Sequence, residues 1–122
     1  MVRILLCDDA SEMRSLLRWA FEQGDGLEIV GEAADSEQAL ALAVDAEPDV
    51  IILDLQMPEL APDALLRAIA QVAPGTPIVT FSGYEPDLVA PAEARLVALH
   101  IPKTTDLSIV RQAVIDLANG AG

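Results

Sequence analysis

Four apolar runs, residues 2–7, 50–53, 78–81 and 96–101, recur along the chain, each too short for a helix and mostly without polar alternation. Runs of this kind suit parallel strands covered on both faces. A fifth, residues 27–31, is more polar, with Glu28 and Glu32 set against Ile29 and Val30, as an edge strand allows. Between the runs the apolar period becomes helical. Met13, Leu16, Leu17, Ala20 and Phe21 make one stripe, Ala39, Leu40, Ala43 and Val44 a second, and Leu65, Leu66 and Ile69 a third. Ile109, Val110, Ala113, Val114 and Leu117 make the last, with Asp106, Arg111 and Asp116 left to water. Ser11, Ser36 and Asp106 are the expected N-caps, and Pro62 suits a first helical turn. Strand and helix alternate throughout, which predicts an α/β fold: a parallel sheet with helices on both faces.

A length of 122 residues, 52% of them hydrophobic, is one domain's worth of core. Seven basic and 20 acidic residues leave a net charge of -13, whose field repels nucleic-acid phosphates and anionic membrane surfaces. Direct nucleic-acid binding and membrane association are therefore not expected. No apolar run approaches a bilayer span, and Met1-Val2-Arg3 leads into the first strand without a cleavage pattern, so the expected location is the cytoplasm. The single cysteine, Cys7, lies within an apolar run and reads as a buried structural thiol in a reducing compartment. Repeats and low-complexity tracts are absent. Residues 1–118 form the expected domain, and residues 119–122 a flexible tail or the start of a linker.

In an open parallel sheet, ligands bind beyond the carboxyl ends of the strands. Four places on this chain meet there: Asp8-Asp9, Asp54, Ser82-Gly83 and Lys103. Singly, the aspartates read as caps or strand-end acids and Ser82-Gly83 as a turn. Lys103 is sharper, being the one lysine among seven basic residues. Carboxylates held together repel, and a hard divalent ion relieves this; magnesium accepts carboxylate oxygens and leaves positions for a phosphoryl oxygen. Lys103 adds a point charge suited to a phosphate or a carboxylate. Phosphoryl transfer is the implied chemistry.

These residues carry a resemblance. Leu6-Cys7-Asp8-Asp9, the stretch from Pro48 through Asp54 to Met57-Pro58, Thr80-Phe81-Ser82-Gly83 and Lys103 resemble the receiver domain of bacterial response regulators, over essentially the whole chain. Val30-Gly31-Glu32-Ala33 with Ala39-Leu40, Ala113-Val114 and Ala118-Asn119-Gly120 are similar to receivers that precede a helix-turn-helix domain. The resemblance implies a flavodoxin-like three-layer sandwich, its five strands ordered 2-1-3-4-5 and flanked by about five helices. It makes Asp54 the phosphoacceptor and assigns Mg2+ to Asp8, Asp9, Asp54 and the backbone carbonyl of Gln56. It turns the Ser82 hydroxyl, the Gly83 amide and Lys103 toward the bound phosphoryl group. The donor would be a sensor histidine kinase or phosphotransfer protein, and an output domain or partner would read the switch. A homodimer stays open.

Departures from the family pattern narrow what carries over. His100 stands where the family usually has an aromatic switch residue, three positions before the lysine. Thr104 follows Lys103 where proline is common, and Pro102 precedes it. Pro86 and Pro91 interrupt the fourth helical region, predicting a short or irregular helix. Pro62 replaces a glycine and shapes its loop. Trp19 lies at the margin of the first stripe, either packed at the edge of the core or exposed as an anchor for a partner. Gln56 and Tyr84 flank the path of an attacking water and are candidates for tuning phosphoryl lifetime. Two other readings compete. An atypical pseudo-receiver would be an interaction module independent of phosphorylation. An aspartate-nucleophile phosphohydrolase would want a second acid two places after Asp8, where Ala10 stands, and a cap insertion that this chain lacks.

Overall fold

Three of the four apolar runs take the interior of the sheet, while the fourth, residues 96–101, supplies an edge strand and is not covered on both faces, Leu96 and Leu99 being exposed. β1 (Val2–Cys7), β3 (Val50–Leu53) and β4 (Ile78–Ser82) lie inside, while β2 (Leu27–Ala33) and β5 (Leu99–Pro102) form the edges, all parallel in the order β2-β1-β3-β4-β5. The computed structural model describes residues 1–84 and 86–120. α1 (Ser11–Phe21) and α5 (Leu107–Ala118) cover one face. α2 (Ser36–Asp45), α3 (Pro62–Val72) and α4 (Pro91–Ala94) cover the other. This is the flavodoxin-like α/β sandwich with the expected strand order.

Alternation along each strand feeds two separate cores. Leu5, Cys7, Ile51 and Leu53 face Ala39, Ala43, Leu65, Leu66 and Ile69 on one side. Ile4, Leu6, Ile52, Val79 and Phe81 face Leu17, Phe21, Val110 and Val114 on the other. β2 skips one residue against β1, because Ile4 pairs with Ile29 and Leu5 with Gly31. A side chain at Gly31 would crowd Leu5 and Leu42, at 3.2 and 3.3 Å, so the absence of a Cβ lets α2 approach the sheet.

Several expectations are corrected. α1 has no side-chain cap, its N-cap being Ala10, and α2 is capped by Asp35, which accepts from the Gln38 amide, not by Ser36. Ser36 is buried instead and donates its hydroxyl to the Pro58 carbonyl at 2.6 Å. The uncapped α1 holds because burying Leu17 and Phe21 contributes about 2 kcal/mol each, against about 1 kcal/mol for a cap. Asp106 does cap α5, and Pro62 opens α3. β5 begins at Leu99, three residues later than the apolar run suggests, because the amides of Leu96 and Val97 close the end of α4 by bonding to Glu93 and Ala94. Leu16, Val44 and Ile109 belong to apolar stripes yet are exposed, and Trp19, 62% exposed, is not packed into the core edge.

The fourth helix is short, as the prolines predict: a 3-10 turn over Pro86–Leu88 precedes a single helical turn. α3 holds it in place. Arg67 pairs with Glu93 at 2.7 Å, and Asp63 accepts from the Ala90 amide at 3.1 Å. Among the described residues no helix is long and apolar enough to cross a membrane.

Candidate functional site

Parallel pairing brings the ends of β1, β3 and β4 to one edge of the sheet. The Asp8 amide bonds to the Ala33 carbonyl at 3.0 Å, and the Asp54 amide to the Cys7 carbonyl at 2.9 Å, so both aspartates leave their strands under backbone control. Asp8 and Asp54 are buried and Asp9 is exposed. One carboxylate oxygen from each lies within 4.8 Å of the others. Three hard oxygen donors, open to solvent on the Asp9 side, suit a divalent cation that keeps part of its water.

Lys103 follows β5 and reaches across the strand ends. Its ammonium lies 2.8 Å from Asp8 Oδ2 and 2.8 Å from Asp54 Oδ2. Burial pulls the lysine pKa down, but the hydrogen bonds and charges of Asp54 and Asp8 outweigh it, so the ammonium is held above the ordinary lysine value. The other oxygen of Asp54, Oδ1, accepts from the Ser82 hydroxyl at 2.9 Å and from the Gln56 amide at 3.0 Å. Ser82 Oγ in turn accepts from the Tyr84 amide at 3.1 Å. Asp54 is therefore the hub on which Ser82, Gln56 and Lys103 converge. Gly83 is exposed at the end of β4, and a cleft of about 340 Å3 opens there, lined by Ser82, Gly83, Tyr84, His100, Pro102, Lys103 and Thr104. The Gln56 side chain is exposed, while Tyr84 is half-buried against the core on the α2–α3 side.

His100 sits one strand over. It pairs in register with Thr80, whose Oγ1 lies 2.7 Å from Nδ1 of the ring. The ring borders the 340 Å3 cleft and also a second cavity of about 320 Å3 beneath α4, lined by Leu55, Val89, Ala94 and Leu99 among others. Thr80 opens the Thr80-Phe81-Ser82-Gly83 stretch, where the sequence gives it no role; only the β4–β5 register makes it the partner of His100. Arg14 was likewise missed. Its guanidinium donates to the Asp8 carbonyl at 2.5 Å, and an arginine flanking an apolar stripe gives little signal of that. Cys7 is buried behind the acids, and burial, with the Asp8 charge adding to it, pushes its thiol far above the reactive range.

The chain is similar to two curated relatives. It is 44% identical over 81 residues to protein-glutamate methylesterase/protein-glutamine glutaminase 6 of Anaeromyxobacter dehalogenans (strain 2CP-C), a match covering 66% of this chain and 23% of that protein. It is 39% identical over 113 residues to the similarly named protein 5 of Myxococcus xanthus (strain DK1622), covering 90% of this chain and 32% of that one. The chain thus spans a third or less of the length of these relatives. Among solved structures, a LuxR-family two-component response regulator from Aurantimonas sp. SI85-9A1 superposes with a TM-score of 0.86 at 26% identity, over 98% of this chain and 86% of that one. Residues 4–114 match the response regulator receiver domain, a span that runs from β1 into α5 and takes in the three aspartates, Ser82 and Lys103. The sheet, its order and the acid pocket with its lysine are thus those of one family, and this chain belongs to it: the response regulator receiver domains of two-component signalling.

Proposed function

We propose that the chain is a phosphoaccepting switch, with Asp54 as the acceptor. The observation that carries this reading is the setting of Asp54: buried, next to the other two acids, and held through both oxygens by Lys103, Ser82 and Gln56. In the proposed step an Asp54 oxygen attacks phosphorus in line with the leaving group. A P–O bond forms as the P–N bond of a donor phosphohistidine breaks, and the donor imidazole keeps the electron pair and takes a proton from solvent. Asp8, Asp9, Asp54 and the Gln56 carbonyl would hold Mg2+, which when bound supplies charge neutralisation at the phosphoryl oxygens. Ser82 and Lys103 already donate to Asp54, so each needs only to exchange a carboxylate oxygen for a phosphoryl oxygen. The Gly83 amide lies at the same strand end and would donate beside them. Gln56 and Tyr84 border the approach of a hydrolytic water and would set the lifetime of the acyl phosphate.

The product replaces the single negative charge of the Asp54 carboxylate with the nearly two of an acyl phosphate, so the pocket gains about one, and its pull on Ser82 biases the β4–β5 surface, with His100 as the residue nearest to a switch. Residues 1–118 would be the signalling unit, with 119 and 120 opening a tail or linker; 121 and 122 lie outside the described residues. The donor would be a sensor histidine kinase or phosphotransfer protein of the cytoplasm, and the reader an output domain, a partner protein or a second copy. Acetyl phosphate with Mg2+ tests the reading by intact mass. One phosphoryl group should be added to the wild type and none to Asp54→Asn. Labelling that persists in Asp54→Asn overturns the assignment of the acceptor. A wild type that stays unlabelled, yet still captures its kinase or output partner, favours the pseudo-receiver, which the replacement of an aromatic residue by His100 would suit.

A further inference from the structure

Of the three acids, Asp9 is the least constrained. The Asp8 carboxylate is fixed on both sides, by the Ala10 amide at 2.9 Å and by Lys103 at 2.8 Å, and Asp54 is fixed by three donors. Asp9 is exposed, and no hydrogen bond among the described residues holds its carboxylate. Its direction is set by the peptide that precedes it. That peptide lies past the end of the ladder, since the last pair of β1 with β2 is Cys7 with Ala33. The Asp8 carbonyl is taken instead by Arg14 Nη1 at 2.5 Å. Arg14 is itself anchored: its Nε lies 3.2 Å from Glu32 Oε1 on β2, and Arg18 grips the other Glu32 oxygen at 2.6 Å. The guanidinium thus bridges a strand-held carboxylate and the Asp8–Asp9 peptide. Only a planar fork with donors in two directions can do both.

We infer that Arg14 is a positioning residue for the cation pocket: by holding the Asp8 carbonyl it fixes the Asp8–Asp9 peptide and so aims the Asp9 carboxylate at Asp8 and Asp54. The inference rests on the proposed cation site and adds to it a residue that touches no cation. Its sign separates it from plain electrostatics. Arg14 is a positive charge beside an acidic pocket, so if charge alone mattered, its removal would strengthen cation binding. If positioning dominates, removal weakens binding, because Asp9 must then be ordered at the expense of affinity.

The test is calorimetric titration of Mg2+ alone into the full chain at fixed ionic strength, with wild type, Arg14→Met, Arg14→Lys, Glu32→Gln and Asp9→Asn. Arg14→Met and Arg14→Lys should each weaken binding by about tenfold, the range found when residues behind metal ligands are changed. Glu32→Gln loosens the anchor without touching Arg14 and should weaken binding less. The Asp9 backbone amide resonance should shift in all three, with that of Asp54 unmoved. Unchanged affinity in Arg14→Lys, or tighter binding in Arg14→Met, overturns the inference even if the variants melt at lower temperature. Should Arg14→Met fail to fold, Arg14→Lys decides. A wild type that binds no Mg2+ ends the cation site and this inference together. Binding lost in Asp9→Asn but intact in the Arg14 variants overturns only the role of Arg14.

Discussion

Lys103 answers two opposing demands. Burial disfavours its charge, yet Asp8 and Asp54, both buried, would face each other without a cation if it were gone. Lys103→Met should therefore destabilise the protein by more than the ~1 kcal/mol of a surface pair. The pH dependence follows from the raised folded-state pKa. A lysine raised above its unfolded value contributes its full stability below that value, near 10.5, and loses it as pH climbs through the higher folded value. Urea melts of wild type and Lys103→Met, compared from about pH 8 to 11, should show a constant difference at the lower end that shrinks only at the alkaline end. A difference that fades well below the ordinary lysine value contradicts the pairing. At this scale the meeting of Asp8, Asp9, Asp54, Ser82 and Lys103 was legible in the sequence, since all stand at strand ends. The Thr80–His100 and Arg14–Asp8 contacts were not, because each depends on which residues lie side by side after folding.

Helix ends show how local signals compete with tertiary partners. Asp35 and Ser36 are adjacent and both suit an N-cap; Asp35 takes the role because Ser36 is drawn inward to the Pro58 carbonyl. The loop after β3 adds a further tie. Glu59 adopts a left-handed conformation, φ 87°, and its carboxylate accepts from the Glu37 amide in the first turn of α2 at 2.9 Å. Asp35→Ala should cost about 1 kcal/mol of stability through the lost cap. α3 offers the reverse experiment: its N-cap, Ala61, is exposed and extended and makes no side-chain cap. Ala61→Ser should raise stability by roughly 0.5 to 1 kcal/mol. Chemical denaturation of the two variants checks both, and equal stabilities would mean that neither end limits the fold. The short α4 belongs here too. Pro86 and Pro91 can each start a turn, but Pro91 cannot sit inside a helix that runs on from Pro86 and it keeps Ala90 extended, so the segment divides into a 3-10 turn and one α-turn held by the Arg67–Glu93 pair.

Charge acts on the molecule as a whole. A net charge of -13 on 122 residues is self-repulsive, and added salt should raise the melting temperature by screening it. Mg2+ should do more than NaCl of equal ionic strength, because binding to the folded acid pocket adds about 2.7 kcal/mol at a hundred times the dissociation constant. Differential scanning calorimetry separates the two effects. Asp9→Asn should lose the excess due to Mg2+ and keep the response to NaCl; identical responses to both salts in wild type would leave only screening.

Period and composition alone were enough for the alternation of strands and helices, the burial of β1, β3 and β4 and the shortness of α4, because each depends on near neighbours in the chain. The motifs at the strand ends were enough for the family, since order and spacing along the sequence carry them. Pairing decided the rest. The start of β5 depended on what closes α4, the exposure of Leu16, Trp19 and Ile109 on how wide a stripe the sheet can cover, and the Thr80–His100 contact on the β4–β5 register. The bridge from Glu32 through Arg14 to Asp8 joins residues that share neither a motif nor a helical period, and only the packing of α1 against β1 and β2 brings them within hydrogen-bond distance.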